Sequence, residues 1–177
     1  MHDEIQSASW KQQWSIGRYL LLGTVIATVV NILLLLAKAS FYIPYCGAVP
    51  YYLTFFGFYF DGNQAGSYTT TGIILAFPWL AAYLIMWWRA NYSVRWLVAG
   101  LVLVIIDTVA LALFTLLMTD SLGSLLLEFI FHIVVIYEIA VGIRAKRKMD
   151  AHQPEEPFAA EDWDMETPAD SEYTDTL

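Results

Sequence analysis

The chain holds a single cysteine, Cys46, so no intramolecular disulfide framework can form, and no Cys/His spacing matches a zinc site. Charge is scarce at 15% of residues, and Lys and Arg vanish after Lys148, where ten of the seventeen acidic residues lie. The net charge of -8 therefore belongs to an appendage, and the rest carries nine basic against seven acidic groups. A basic nucleic-acid footprint is absent. The chain also lacks a Gly-x-Ser-x-Gly nucleophile element, an HExxH zinc motif and paired intramembrane aspartates, so none of these catalytic classes is legible and no catalytic residue is assigned. Cys46, between Tyr45 and Gly47 with no basic neighbour in sequence, reads as an inert thiol. No cofactor or metal is expected.

What is abundant is hydrophobic sequence, 58% of 177 residues, in runs long enough to cross a bilayer. Four stretches meet the roughly 20-residue requirement: 19–38, 70–88, 96–118 and 122–143. The first ends without a small-x-small cleavage pattern, so it reads as a retained span rather than a signal peptide. The expected fold is an all-α membrane protein, a four-helix transmembrane bundle. Residues 1–18 form an amphipathic interfacial lead-in on Ile5, Trp10, Trp14 and Ile16, and 149–177 an acidic, proline-containing disordered tail.

Between the first two spans, residues 39–69 include the aromatic stretch FYIPYCGAVPYYLTFFGFYFDG. Pro44, Gly47 and Pro50 interrupt a helix through its first half, and Lys38-Ala39-Ser40 is a tight link for two consecutive spans. The stretch is read as a re-entrant or interfacial hairpin on the outer face, with a short helix from Pro50; a fifth span is the alternative. With four spans both termini are cytoplasmic and eight of nine basic residues fall inside, Lys38 alone lying outside.

Polar groups at membrane depth are costly unless paired, which makes each a candidate site. Counting at about 1.5 Å per residue puts Asn31, Asp107 and His132 near the midplane, with Pro78 freeing a backbone carbonyl at that level. An Asp107 to His132 hydrogen bond between neighbouring spans is expected, and Glu128 shares a helical face with His132. Asn31, Asp107, Glu128 and His132 are thus a candidate polar pathway or helix-packing cluster. Helix packing is the leading role, proton or ion handling the second, and a zinc site on Glu128, His132 and Asp107 the third. Lys38 with Glu128 at the outer rim and Arg18 with Glu138 at the inner rim are candidate interfacial ion pairs.

At NILLLL, AVPYYLTFFGFYFDG and LLEFIFHIVVIYEIAVGIRAKRK the chain resembles small bacterial four-span membrane proteins of no known activity. The resemblance covers roughly 19–148 and implies an architecture and a cell-membrane location, without a mechanism. The expected function is that of a non-enzymatic scaffold or accessory subunit. Its partners are the lipid bilayer and a membrane or cytoplasmic protein met through the outer aromatic hairpin or the acidic tail. A small transporter or proton-coupled permease component is the alternative, and an intramembrane metal-dependent enzyme the third reading.

Overall fold

The computed structural model describes residues 2–117 and 122–152. Residues 118–121, at the junction of the third and fourth expected spans, and most of the acidic tail lie outside the described residues. Within them the chain is all-helical, with no strand: α1 His2–Leu36, α2 Ala48–Phe60, α3 Ser67–Arg89, α4 Val94–Leu117 and α5 Leu122–His152. Every one but α2 is long and apolar enough to cross a membrane, as expected of a multi-pass membrane protein.

The long helices pack in a ring, α1 to α3 to α4 to α5 and back to α1, with α2 set against α3, α1 and α4. Buried apolar residues fill the half of this bundle nearest the termini: Trp14, Leu21 and Val25 of α1, Tyr83 of α3, Leu97 and Val104 of α4, and Val135, Ile139 and Ile143 of α5. In the other half polar side chains join buried apolar ones such as Ala76 and Leu111: Thr28, Asn31, Asp107 and His132 are all at most 2% exposed. Leu, Ile, Val and Phe cover the outside, as at Leu33, Ile74, Phe77, Val109, Leu113 and Ile133. An apolar exterior of this extent belongs against lipid rather than water. On α3 the exposed Tyr68 and Trp88 stand 20 residues apart, about 30 Å, which is the hydrocarbon thickness such aromatic girdles flank.

Two boundaries differ from those the sequence suggests. No helix break falls between residues 1–18 and the first span: α1 runs unbroken from His2, and Trp14 and Gly17 are buried along it. Gly17 and Gly142 bring α1 and α5 into backbone contact: a Cβ on Gly142 would lie 3.4 Å from the Gly17 Cα. This close approach carries both helices past the expected ends, α5 reaching His152 rather than stopping near 143. Pro78 faces outward, so α3 adds no freed carbonyl to the polar interior.

The connections obey helix-end chemistry. At the end of α1, Lys38 is left-handed (φ 54°) and the Ala39 N–H reaches back to the Leu34 carbonyl at 2.9 Å, a Schellman-type stop on a residue other than glycine. The α2 terminus repeats it with Gly62 (φ 70°) and an Asn63 N–H to Phe58 carbonyl bond of 3.0 Å. Asp61 then caps α3, its carboxylate accepting the Thr69 N–H and hydroxyl, each at 2.7 Å.

The Thr69 N–H holds the Asp61 carboxyl below its ordinary value of 3.8. Because the folded value is the lower one, the cap's contribution is complete above that ordinary value and is lost as pH falls through the depressed one. Asp61→Asn is therefore expected to be less stable than wild type at neutral pH, with the gap closing only below the usual carboxylate range. Thermal unfolding in detergent across pH reads this directly, and a gap independent of pH would refute the cap.

Candidate functional site

The chain leaves α1 at one end of the bundle and folds back into it. Asn31 sits five residues below the end of α1 and Thr24 twelve, roughly 8 and 18 Å down the axis. These are the residues that meet the returning chain. The Asn31 side chain binds one peptide on both sides, Nδ2 donating to the Ile43 carbonyl at 2.8 Å and Oδ1 accepting the Ile43 N–H at 2.7 Å. The Thr24 hydroxyl pairs with the Tyr45 hydroxyl, and Thr28 Oγ1 accepts the Gly47 N–H at 2.6 Å. Thr24, Thr28 and Asn31 recur at i, i+4 and i+7, so one face of α1 presents all three.

α2 starts at the lowest point of this descent, and its beginning is fully accounted for. A helix leaves its first four N–H groups without intrahelical partners. Here they belong to Gly47, Ala48, Val49 and Pro50. Gly47 donates to Thr28, Ala48 to Asp107 Oδ2 at 2.7 Å and Val49 to Asp107 Oδ1 at 2.8 Å, while Pro50 has no hydrogen to place. The next amide, Tyr51, closes the first turn on the Gly47 carbonyl at 3.2 Å. Asp107 thus caps α2 from another helix, its negative charge set against the positive end of the α2 dipole. The irregular backbone that folds into the bundle thus finds its hydrogen-bond partners within the protein, as buried amides require.

On the far side of the same loop, His132 Nε2 donates to the Cys46 carbonyl at 3.0 Å. Its Nδ1 lies 3.0 Å from Thr108 Oγ1, which in turn lies 2.7 Å from the Val104 carbonyl. A carbonyl only accepts, so Nε2 carries a hydrogen in either charge state. With a neutral ring, the Thr108 hydroxyl donates to Nδ1; with a charged ring, Nδ1–H donates to Thr108, whose hydrogen turns to Val104. Both states are satisfied by one hydroxyl rotation.

The expected Asp107 to His132 hydrogen bond is not formed. The Cys46–Ala48 backbone runs between the two groups, with Asp107 occupied by amides and His132 by the carbonyl. Glu128 is 2% exposed and meets the Cys46 thiol, Sγ to Oε1 3.8 Å. Cys46 is itself fully buried, so the loop cysteine is an interior group rather than a rim residue.

Neither candidate ion pair is formed. Lys38 is exposed at the left-handed turn ending α1, whereas Glu128 is enclosed beneath Cys46. The Arg18 guanidinium lies 5.7 Å from the centre of the Tyr19 ring, and its Nε is buried without a hydrogen-bond partner. Glu138 meets α1 through its backbone, its carbonyl oxygen lying 3.5 Å from where a Gly17 Cβ would stand. Among the described residues no three His, Cys, Asp or Glu side chains are grouped to hold a metal ion, which removes the geometry a Glu128, His132 and Asp107 zinc site requires.

Sequence reasoning missed the partner these polar groups serve. It set side chains against side chains, whereas Asn31, Thr28, Asp107 and His132 all bind the backbone of 43–49. Two signals were present: Thr28 completing the Thr24/Asn31 face, and a proline/glycine-broken segment whose unpaired amides and carbonyls need partners. The chain shows no significant match to any protein-family model, curated protein or solved structure.

Proposed function

We propose that the protein is a non-enzymatic, multi-pass scaffold or accessory subunit of the cell membrane, with both termini cytoplasmic and the 37–66 hairpin re-entering the bundle from the outer leaflet. The observation that supports this reading is the use of the midplane polar groups. Asn31, Thr28 and Asp107 direct their hydrogen bonds at the hairpin backbone, so the polar layer serves as a socket that builds one surface element rather than as the lining of a route for solute. What the socket holds up is α2, whose far end presents Tyr59 and Phe60 beside Tyr68, all at least 60% exposed. Aromatic side chains clustered at the level of the headgroups suit a protein partner in the same membrane. Orientation follows from the basic residues, eight of which gather at the end bearing the termini while Lys38 alone marks the other. The acidic tail offers a second, cytoplasmic contact.

A photo-crosslinking amino acid placed at Phe60 in cells tests this, with the lipid-facing Leu113 as control. A scaffold gives a discrete protein adduct from Phe60 and none from Leu113. Adducts with lipid alone, from a chain that purifies as a monomer, would reject it.

One observation favours a second reading, a proton-coupled permease component. His132 has a complete set of hydrogen bonds in both charge states, beside a buried Glu128 carboxyl whose contact is a thiol. Proton flux into proteoliposomes above that of empty vesicles, lost in His132→Gln, would establish this reading and displace the first. The third reading, a metal-dependent enzyme, has no supporting side-chain group among the described residues.

A further inference from the structure

At the end of the bundle opposite the hairpin, α1 and α5 run on together past the α3–α4 turn and form the walls of an open cleft of about 370 Å³. Ser7, Trp10, Lys11 and Trp14 of α1 line it, with Asn91 of the turn and Lys146, Met149 and His152 of α5. Its indoles are contacted by cationic side chains and a histidine ring. The Lys146 ammonium stands 5.9 Å from the Trp14 ring centre and the Trp10 and His152 rings are 5.1 Å apart, while Lys148, outside the lining, stands 5.9 Å from the Trp10 ring centre. One of these charges is shared, since Lys146 also contacts Asp150 at 2.5 Å. Lys11 is exposed at the rim, and Ser7 and Asn91 add neutral polar groups. The balance at the mouth is positive.

Its depth is set by the glycine contact between the two helices. Gly17 and Gly142 pack on each other, and Trp14 and Lys146 lie three and four residues further along. That places them about 4–6 Å outward of the contact, with Lys11 and His152 beyond. The exposed Tyr19 marks the edge of the hydrocarbon two residues the other way. The Trp14 and Lys146 end of the cavity therefore reaches the headgroup layer, which adds roughly 5–8 Å on each side of the apolar core, and its mouth at Lys11 and His152 lies beyond that layer.

We infer that this cavity binds an anionic phosphoryl group, with Lys11 and Lys146 supplying the charge, Ser7 and Asn91 the neutral hydrogen-bonding groups, and Trp10 and Trp14 the walls along which the rest of the ligand lies. Two sources carry that chemistry: the headgroup of an anionic lipid in the adjoining leaflet, and free phosphate in solution. The site is independent of the hairpin socket and of the scaffold reading.

The full-length chain in a neutral detergent, titrated with phosphatidylglycerol, phosphatidylcholine or inorganic phosphate and followed by native mass spectrometry, tests the assignment. One phosphatidylglycerol is expected to be retained at concentrations where phosphatidylcholine is not. Lys11→Gln and Lys146→Gln should each weaken retention roughly fivefold, as expected for one basic residue at an anionic surface. Displacement of the lipid by millimolar inorganic phosphate assigns the site to the soluble source, and persistence assigns it to the headgroup. Equal retention of the two lipids, with no bound phosphate, overturns the inference. So does undiminished binding of both ligands in the Lys11→Gln/Lys146→Gln double variant, whose fold is checked by its unchanged melting temperature.

Discussion

Replacing Asp107 by alanine is expected to detach the start of α2 from the bundle. The substitution removes one carboxylate but strands two amides, those of Ala48 and Val49, in a region where neither water nor lipid replaces the lost acceptor. Each buried N–H left bare costs about 1–3 kcal/mol, so the pair amounts to roughly 2–6 kcal/mol. The lower part of that range is the better expectation, because polar contacts in membrane bundles average well under their ideal value. Asp107→Asn is the informative companion. It keeps one carbonyl oxygen for one amide and turns an NH2 group toward the other, so it should lose about half as much. Hydrogen exchange of the 44–60 segment in detergent checks the mechanism: both variants should deprotect the first turn of α2, alanine more than asparagine, while 97–104 in the apolar half stays protected. Protection unchanged in Asp107→Ala would remove the carboxylate from its capping role. The result also bears on function. A pathway aspartate and a capping aspartate both lose activity when changed to asparagine, but only the capping one loosens the hairpin first.

The reach of the sequence can be judged on the same residues. The four long apolar helices were legible because hydropathy over about 20 residues is a property of composition, and the bilayer imposes the length. That Asn31, Asp107 and His132 come to one level of the bundle was legible for a similar reason, since axial rise converts residue number into height along each helix. What those groups touch was not. Facing polar side chains at equal height look like partners until the course of 37–47 is known, and that course depends on long-range contacts that leave no periodicity in the loop itself. The ion pairs failed for a different reason. Helical periodicity gives the direction of a side chain on its own helix, but the Gly17–Gly142 contact sets how α1 and α5 are rotated against each other, and periodicity on either helix does not contain that rotation.

A close helix approach yields the other large effect. α2 and α3 cross with two glycines at the contact. A Cβ on Gly57 would lie 2.3 Å from the Tyr68 carbonyl oxygen and 2.9 Å from the Thr69 Cα, and one on Gly72 would lie 2.4 Å from the Leu53 oxygen. The obstacle in each case is backbone, which cannot rotate aside, so the helices must move apart by about an ångström to restore van der Waals contact. Gly57→Ala or Gly72→Ala should each cost about 1–3 kcal/mol by overpacking, net of the roughly 1 kcal/mol that alanine gains over glycine within a helix. Gly23 supplies the control: nothing lies within 4 Å of its Cβ position, so Gly23→Ala should be neutral or stabilising. The two damaging changes should not add. Once either has parted α2 from α3, the second meets an open space, so the double variant should cost clearly less than the sum of the singles. Unfolding curves in mixed detergent measure all four variants on one scale. Additive losses, or a Gly57→Ala variant as stable as Gly23→Ala, would mean that α2 does not lie against α3 at this distance, and the socket that aims its aromatic end would have to be rebuilt around a different crossing.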